Sequence, residues 1–400
     1  MSRVDDQLRV IEGQESQEPP APGEPASALS WRRLAFGVVF TAAALGGLYF
    51  LIPKLAGLNQ TWGQLKHGDP VFLGIGMVLE LLSIGGYIVL FRTVFSRGVP
   101  RIDWRVSIEI PLAGIAAIRL LAAAGAGGVA VTVWALRRAG MAPRVLTCRM
   151  VASYVIQYSV YLIALVICGF GLRWGVFSGE SPFALTVIPA ILSLAAIGLV
   201  LSMGLVPKDF ERRLERLSRR SGRVGRLAAR FATVPAMLGL GVRTAIGLVR
   251  ERRLGLLGAV AYWGFDIAVL GFSMRAFGTT VSLAVLVMCY FLGTLGSLLP
   301  LPGGIGGVEG GMIGAFVAFG IPGSSALIGV LAYRAISFWL PTLPGIGGYF
   351  ALHSTVRRWH SEDSRRLAQG LAGPPSEARP PSEGDGTARA PEASRGYEHH

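Results

Sequence analysis

The sequence predicts an all-α polytopic integral membrane protein, with about six full transmembrane helices plus two re-entrant or double-pass Gly-rich hairpins arranged as inverted repeats. Three observations predict it. Hydrophobic residues make up 52% of the chain against 16% charged, and the mean hydropathy is +0.52, far from the composition of a soluble domain. Apolar runs long enough to cross about 30 Å of hydrocarbon alternate with short arginine patches. Two of those runs are interrupted by clustered glycines, and broken backbone is tolerated inside a bilayer only where protein covers it or a polar cavity receives it.

Residues 1–30 mix Pro, Glu, Gln and Ser with little apolar content, as a disordered cytoplasmic leader does. Arg32 and Arg33 precede a first span, Leu34 to Pro53. A second, Val71 to Phe91, delivers the chain to Arg92, Arg97, Arg101 and Arg105, which mark the inner side. The next apolar stretch, Val106 to Leu136, carries GAGGVA at Gly125 to Ala130 and ends in Arg137 and Arg138. It therefore enters and returns on one side, as a re-entrant hairpin or as two spans. Val145 to Phe170 leads outward and Phe183 to Val206 returns.

Between Lys208 and Arg253 lie 13 Lys or Arg against four Asp or Glu. Phe210, Leu214 and Leu217, then Val224, Leu227 and Phe231, recur at helical spacing. The segment reads as a basic amphipathic helix on the anionic inner leaflet, or as a solvated cytoplasmic loop. Leu254 to Phe277 crosses outward, Val281 to Gly320 makes the second double pass, and Ala326 to Phe350 returns to Arg357 and Arg358. The membrane domain is thus expected over 31–353, with repeat one at about 70–206, repeat two at about 254–352, and a disordered cytoplasmic tail over 354–400.

The net charge of +14 is accounted for by those inner-side patches, so no nucleic-acid partner is expected. Cys148, Cys168 and Cys289 lie in apolar segments without C-x-x-C spacing, which argues against a disulfide framework or a zinc site. All five histidines lie outside the long apolar runs. Neither a metal nor another cofactor is expected.

The most informative stretch is LLPLPGGIGGVEGGMIGAFVAFG, Leu298 to Gly320. Pro300 and Pro302 remove backbone donors and end the incoming helix, and Gly303, Gly304, Gly306 and Gly307 let the chain reverse. Glu309 then falls in the first turn of the restarting helix, where the helix dipole favours negative charge. At an offset of 179 residues GAGGVA lies over GIGGVE, Gly114 over Gly293, and the flanking spans over one another. Because the first unit starts outside and the second inside, the repeats have opposite topology, a pattern of transporters with alternating access.

The segment LPLPGGIGGVEGGMIGAFVAFG followed by LAYRAISFWLPTLPGIGGY resembles the C-terminal signature of the lysylphosphatidylglycerol synthase transmembrane, or flippase-like, family. The resemblance covers roughly Trp31 to His353. In the first half, Ala122 to Ala130 keeps the family's glycines without its Asn, Pro and acid. No stretch corresponds to the soluble aminoacyl-transferase half of two-part members, so the resemblance implies lipid transport without lipid synthesis.

Intramembrane charges point the same way, since each is expensive in hydrocarbon and marks function by default. The candidates for substrate binding or translocation are Glu309, Arg334, Asp266, Glu80 and Arg119. Helix rise places Glu309 and Arg334 roughly 15 Å below the outer surface and the other three within a few Å of the midplane. Glu309 with Arg334 reads either as a structural ion pair or as a headgroup or proton site. Tyr290, Tyr333, Trp263, Phe338 and Trp339 read as packing or interface aromatics. The expectation is a flippase-like protein of the inner (cytoplasmic) membrane, both termini cytoplasmic, moving a phospholipid or related amphipathic lipid between leaflets. A non-transporting partner of a lipid or glycan synthase is the alternative. A membrane-embedded lipid-headgroup enzyme is a further, less favoured alternative, because no metal-binding acid pair or nucleophilic histidine sits near a surface.

Overall fold

A computed structural model describes residues 68–120, 126–205, 223–298 and 304–368. Among them every regular element is helical. In chain order these are α1 (Pro70–Phe95), α2 (Trp104–Leu120), α3 (Ala126–Arg138), α4 (Pro143–Arg173), α5 (Phe183–Leu205), α6 (Arg223–Arg250), α7 (Leu257–Ala276), α8 (Leu283–Thr294), α9 (Gly307–Ala318) and α10 (Gly323–Ala368). Short 3₁₀ turns precede α7 and follow α8. The chain divides after Val356 into two units, and the functional argument lies in the first.

Five helices, α1, α4, α5, α7 with its 3₁₀ turn, and α10, are long and apolar enough to cross a bilayer. They match five of the six predicted spans; Leu34 to Pro53 lies outside the described residues. The protein is a multi-pass membrane protein. The arms of the two Gly-rich hairpins are shorter: 17 and 13 residues for α2 and α3, and 12 each for α8 and α9. At 1.5 Å per residue the helices of these arms reach about 18–25 Å, shorter than the long crossings.

Local chemistry sets several boundaries. Asp69 Oδ1 accepts from the Val71 N–H at 2.8 Å and Pro70 follows as the first helical residue, a favourable start for α1. Asp103 does the same for α2 through the Val106 N–H. In the second hairpin Pro302 and Gly303 lie outside the described residues, whereas Gly304 (φ +68°) and Gly306 (φ +86°) adopt the left-handed backbone that glycine accepts without strain, and α9 starts at Gly307.

Glycines also fix the tightest crossings. A Cβ on Gly258 would stand 2.3 Å from the Gly86 carbonyl oxygen, so α1 and α7 touch backbone to backbone. Ser83 Oγ donates to the Tyr262 carbonyl at 2.9 Å, and the Cβ direction of Gly76 faces Val269. Rising positions on α1 thus meet falling positions on α7, and the two helices run antiparallel. The Asp69 N–H closes one end of this pair on the Ala276 carbonyl. Adding 179 to the bounds of α2 gives 283 and 299, against 283 and 298 for α8 with its 3₁₀ turn. The same shift moves the start of α3 to 305 and of α4 to 322, against observed starts of α9 and α10 at 307 and 323. Within the hairpins, Gly114 faces Thr132 and Gly128, and its counterpart Gly293 faces Gly311 and Met312.

Two expectations need refinement. The second half of the basic segment is helical, as the amphipathic reading has it, and its apolar face packs on the bundle. Val242, Ala245 and Leu248 of α6 are buried, and a Cβ on Gly241 would meet Val151 of α4 at 2.3 Å. Arg212 to Arg220 lie outside the described residues. The last helix does not end near His353: α10 runs to Ala368, because RRWHSEDSRRLA has strong helix formers and an i,i+4 pair, Arg358 with Glu362 at 4.0 Å.

Candidate functional site

The restart of α9 places Glu309 three residues after its Gly306 N-cap. One carboxylate oxygen accepts from the Gly306 N–H at 2.6 Å, and the other from Arg334 Nε of α10, also at 2.6 Å. Glu309 is 1% exposed and the Arg334 side chain 12%, so this charge-assisted contact lies out of solvent. Both oxygens of Glu309 are thereby occupied.

One helical turn beyond Arg334, the Phe338 ring carries two guanidiniums, Arg334 at 5.3 Å and Arg119 of α2 at 5.4 Å from its centroid. Arg119 also donates to the Phe338 carbonyl oxygen and approaches Thr342 Oγ1 at 3.4 Å. This contact between helices far apart in sequence depends on α10 lying close to α2. Gly345 and Gly348 permit that, since a Cβ on either would stand within 2.8 Å of Leu112. Pro341 and Pro344 interrupt the hydrogen-bond ladder of α10 in the same stretch.

Glu80 of α1 and Asp266 of α7 complete the layer. Both are buried, the α1–α7 register sets them opposite each other, and Arg119 is close enough to act on both. Tyr290 of α8 donates its hydroxyl to Asp266 Oδ2 at 2.5 Å, and Tyr333 of α10 stands beside the same carboxyl. Among the described residues, Glu80 Oε2 and Asp266 Oδ1 have no hydrogen-bond partner.

All five candidate side chains therefore belong to one connected layer. Counting residues along separate helices put all five near mid-depth of a roughly 30 Å core, a shared layer provided that their helices face one another; the Phe338 ring is what joins the two arginines. Trp263, Tyr290, Tyr333 and Phe338 are buried, in keeping with packing roles, but Tyr290 and Phe338 also hold the charged groups. Sequence reading missed those roles, since an aromatic in an apolar run carries no mark of what its hydroxyl or ring meets. It also missed Glu109, buried near the arginine-rich end, which accepts from Arg105 Nε at 2.7 Å and from Thr355 Oγ1 of α10 at 2.9 Å. Arg149 is another: its guanidinium donates to the carbonyls of Phe95 and Arg97. Polar positions about one turn inside a span are the signal that would have found both. Among the described residues no group of three metal-ligating side chains occurs.

Residues 28–345 match the family model described as the lysylphosphatidylglycerol synthase TM region. Over 342 residues the chain is 25% identical to a UPF0104 membrane protein of Methanothermobacter thermautotrophicus, covering 80% of this chain and 95% of that one. A further match of the same description and organism is 30% identical over 187 residues, 43% of this chain and 56% of the relative. With the family model covering most of the chain and all five residues of the charged layer, the chain belongs to the lysylphosphatidylglycerol synthase transmembrane family.

Proposed function

We propose that the protein moves an amphipathic lipid from one membrane leaflet to the other, the headgroup passing the polar layer while the acyl chains stay in the bilayer. One observation carries this reading: two guanidiniums and three carboxyls gathered in one buried layer on three helices and two hairpin arms, where each charge is expensive unless it serves a polar ligand. The antiparallel α1–α7 pair, with two broken hairpins whose bounds recur at one offset, supports a pair of inverted repeats exchanging conformations. Arg119 and Arg334 are the groups suited to a lipid phosphate, through the fork geometry of guanidinium. In this reading the protein performs no covalent chemistry, resides in the cell membrane, and keeps both termini and the arginine-rich loops cytoplasmic.

The test is reconstitution into vesicles carrying fluorescent lipids with several headgroups. The wild type is expected to speed equilibration between leaflets for at least one headgroup, and Arg119→Gln to slow it in protein that still elutes as a folded species. No acceleration with any headgroup in the panel would overturn the reading in favour of a non-transporting partner of a lipid or glycan synthase.

A further inference from the structure

Among the described residues, the α1–α7 crossing holds one acid more than its surroundings neutralise. The contacts of Gly76 with Val269, Ser83 with Tyr262 and Gly86 with Gly258 set the register and bring Glu80 opposite the turn that carries Asp266. Glu80 is 3% exposed and Asp266 8%, and each has one carboxyl oxygen without a hydrogen-bond partner. Among the described residues the layer counts three carboxyls, Glu80, Asp266 and Glu309, against two guanidiniums, Arg119 and Arg334. Arg334 is engaged by Glu309, while Arg119 serves Glu80 and Asp266 together.

Among the described residues the other ionisable groups that face the pair are Tyr262 on α7, Tyr290 on α8 and Tyr333 on α10, all neutral at ordinary pH. From α4 come Tyr154 and Tyr158, which face Tyr87 of α1. None of these supplies a third positive charge. Two ionised carboxylates side by side out of water repel each other and leave an uncompensated charge. A proton on either one makes the layer neutral, turns two acceptors into a donor and an acceptor, and gives the orphaned oxygens a bond to make.

We propose that Glu80 and Asp266 hold one exchangeable proton between them, and that this pair is the proton-coupling site of transport. The coupling half rests on the lipid-moving reading above; the proton-holding half does not. On release the carboxyl O–H bond breaks, its electron pair stays on oxygen, and the proton passes to water. Two like charges then face each other across a crossing held at backbone contact. That state disfavours the crossing, so the proton biases the arrangement of the two halves.

The proton is read by infrared difference spectroscopy on the purified full-length protein. The wild type is expected to show the carbonyl stretch of a protonated carboxylic acid, to shift it in D₂O, and to lose it as pH rises. Glu80→Gln and Asp266→Asn should each abolish the band, and Gln at position 80 mimics the protonated acid and so preserves the fold. Glu309→Gln evens the count of acids and guanidiniums and should move loss of the band to lower pH, because one neighbouring negative charge is gone. A wild type without the band, or a band that does not move in D₂O, overturns the proposal without recourse to any variant. Survival of the band in both neutralised variants also overturns it.

Coupling is read separately, as lipid movement in vesicles with and without an imposed pH gradient. The wild type should respond to the gradient and Glu80→Gln should not. Movement in the wild type that ignores the gradient overturns coupling. An exchangeable band in a protein that moves no lipid overturns the transport reading and upholds the proton site.

Discussion

Replacing Glu309 by Gln separates a structural ion pair from a working site. The substitution removes the charge that Arg334 meets at 2.6 Å yet leaves an oxygen for the Gly306 N–H, so the start of α9 is preserved. Breaking a buried pair by removing one partner destabilises by about 3–5 kcal/mol, because the remaining charge has lost its solvent and its counter-ion. Arg334 also acts on Asp266, and that second acid brings the expectation to about 3 kcal/mol. Glu309→Ala loses the cap contact as well and should fall lower by about 1 kcal/mol. The double variant Glu309→Gln with Arg334→Gln removes both charges and should regain most of the lost stability. The assay is paired: thermal melting in detergent, and lipid equilibration in vesicles. A double variant that is stable but moves no lipid supports the site. A double variant that matches wild type in both reduces the pair to architecture. Wild-type melting of Glu309→Gln itself would refute the packing argument, since Arg334 would not then be relying on Glu309.

Two further expectations follow from the backbone contacts and the loop charges. A Cβ on Gly296 would lie 2.1 Å from the Gly307 carbonyl oxygen and one on Gly258 2.3 Å from that of Gly86, so Gly296→Ala and Gly258→Ala should lower the melting temperature and folded yield. Gly310→Ala and Gly85→Ala, with nothing within 4 Å, should not; equal losses at all four positions would contradict these close approaches. In a cysteine-free background, single cysteines at Ser96, Ser221 and Ser376 should resist an impermeant thiol reagent in intact cells, and those at Gln64 and Ser324 should react. Labelling at Ser221 from outside would sink the inverted arrangement.

The sequence by itself determined the class of molecule, five of the described crossings and the two hairpins. Hydropathy, proline and glycine act locally, and a stretch of about twenty apolar residues or a PGG-x-G break has few alternatives in a bilayer. It also singled out which charges to follow, since an ionisable group in an apolar run is conspicuous. Tertiary structure decided what those charges meet. Arg119 finds the carbonyl of Phe338 across 219 residues, Glu109 finds Thr355 across 246, and Asp266 finds the hydroxyl of Tyr290 on the next helix. No periodicity encodes such pairings, because they depend on helix rotation and on close crossings where glycine admits the neighbouring backbone. The fate of α6 was decided the same way: its arginines suggest a surface, but Val242, Ala245 and Leu248 had apolar partners on α4 and α5 to bury against. Glu309, the acid most conspicuous in sequence, proves fully hydrogen-bonded, while Glu80 and Asp266 keep unpartnered oxygens. Only the packing of α1 on α7 distinguishes them.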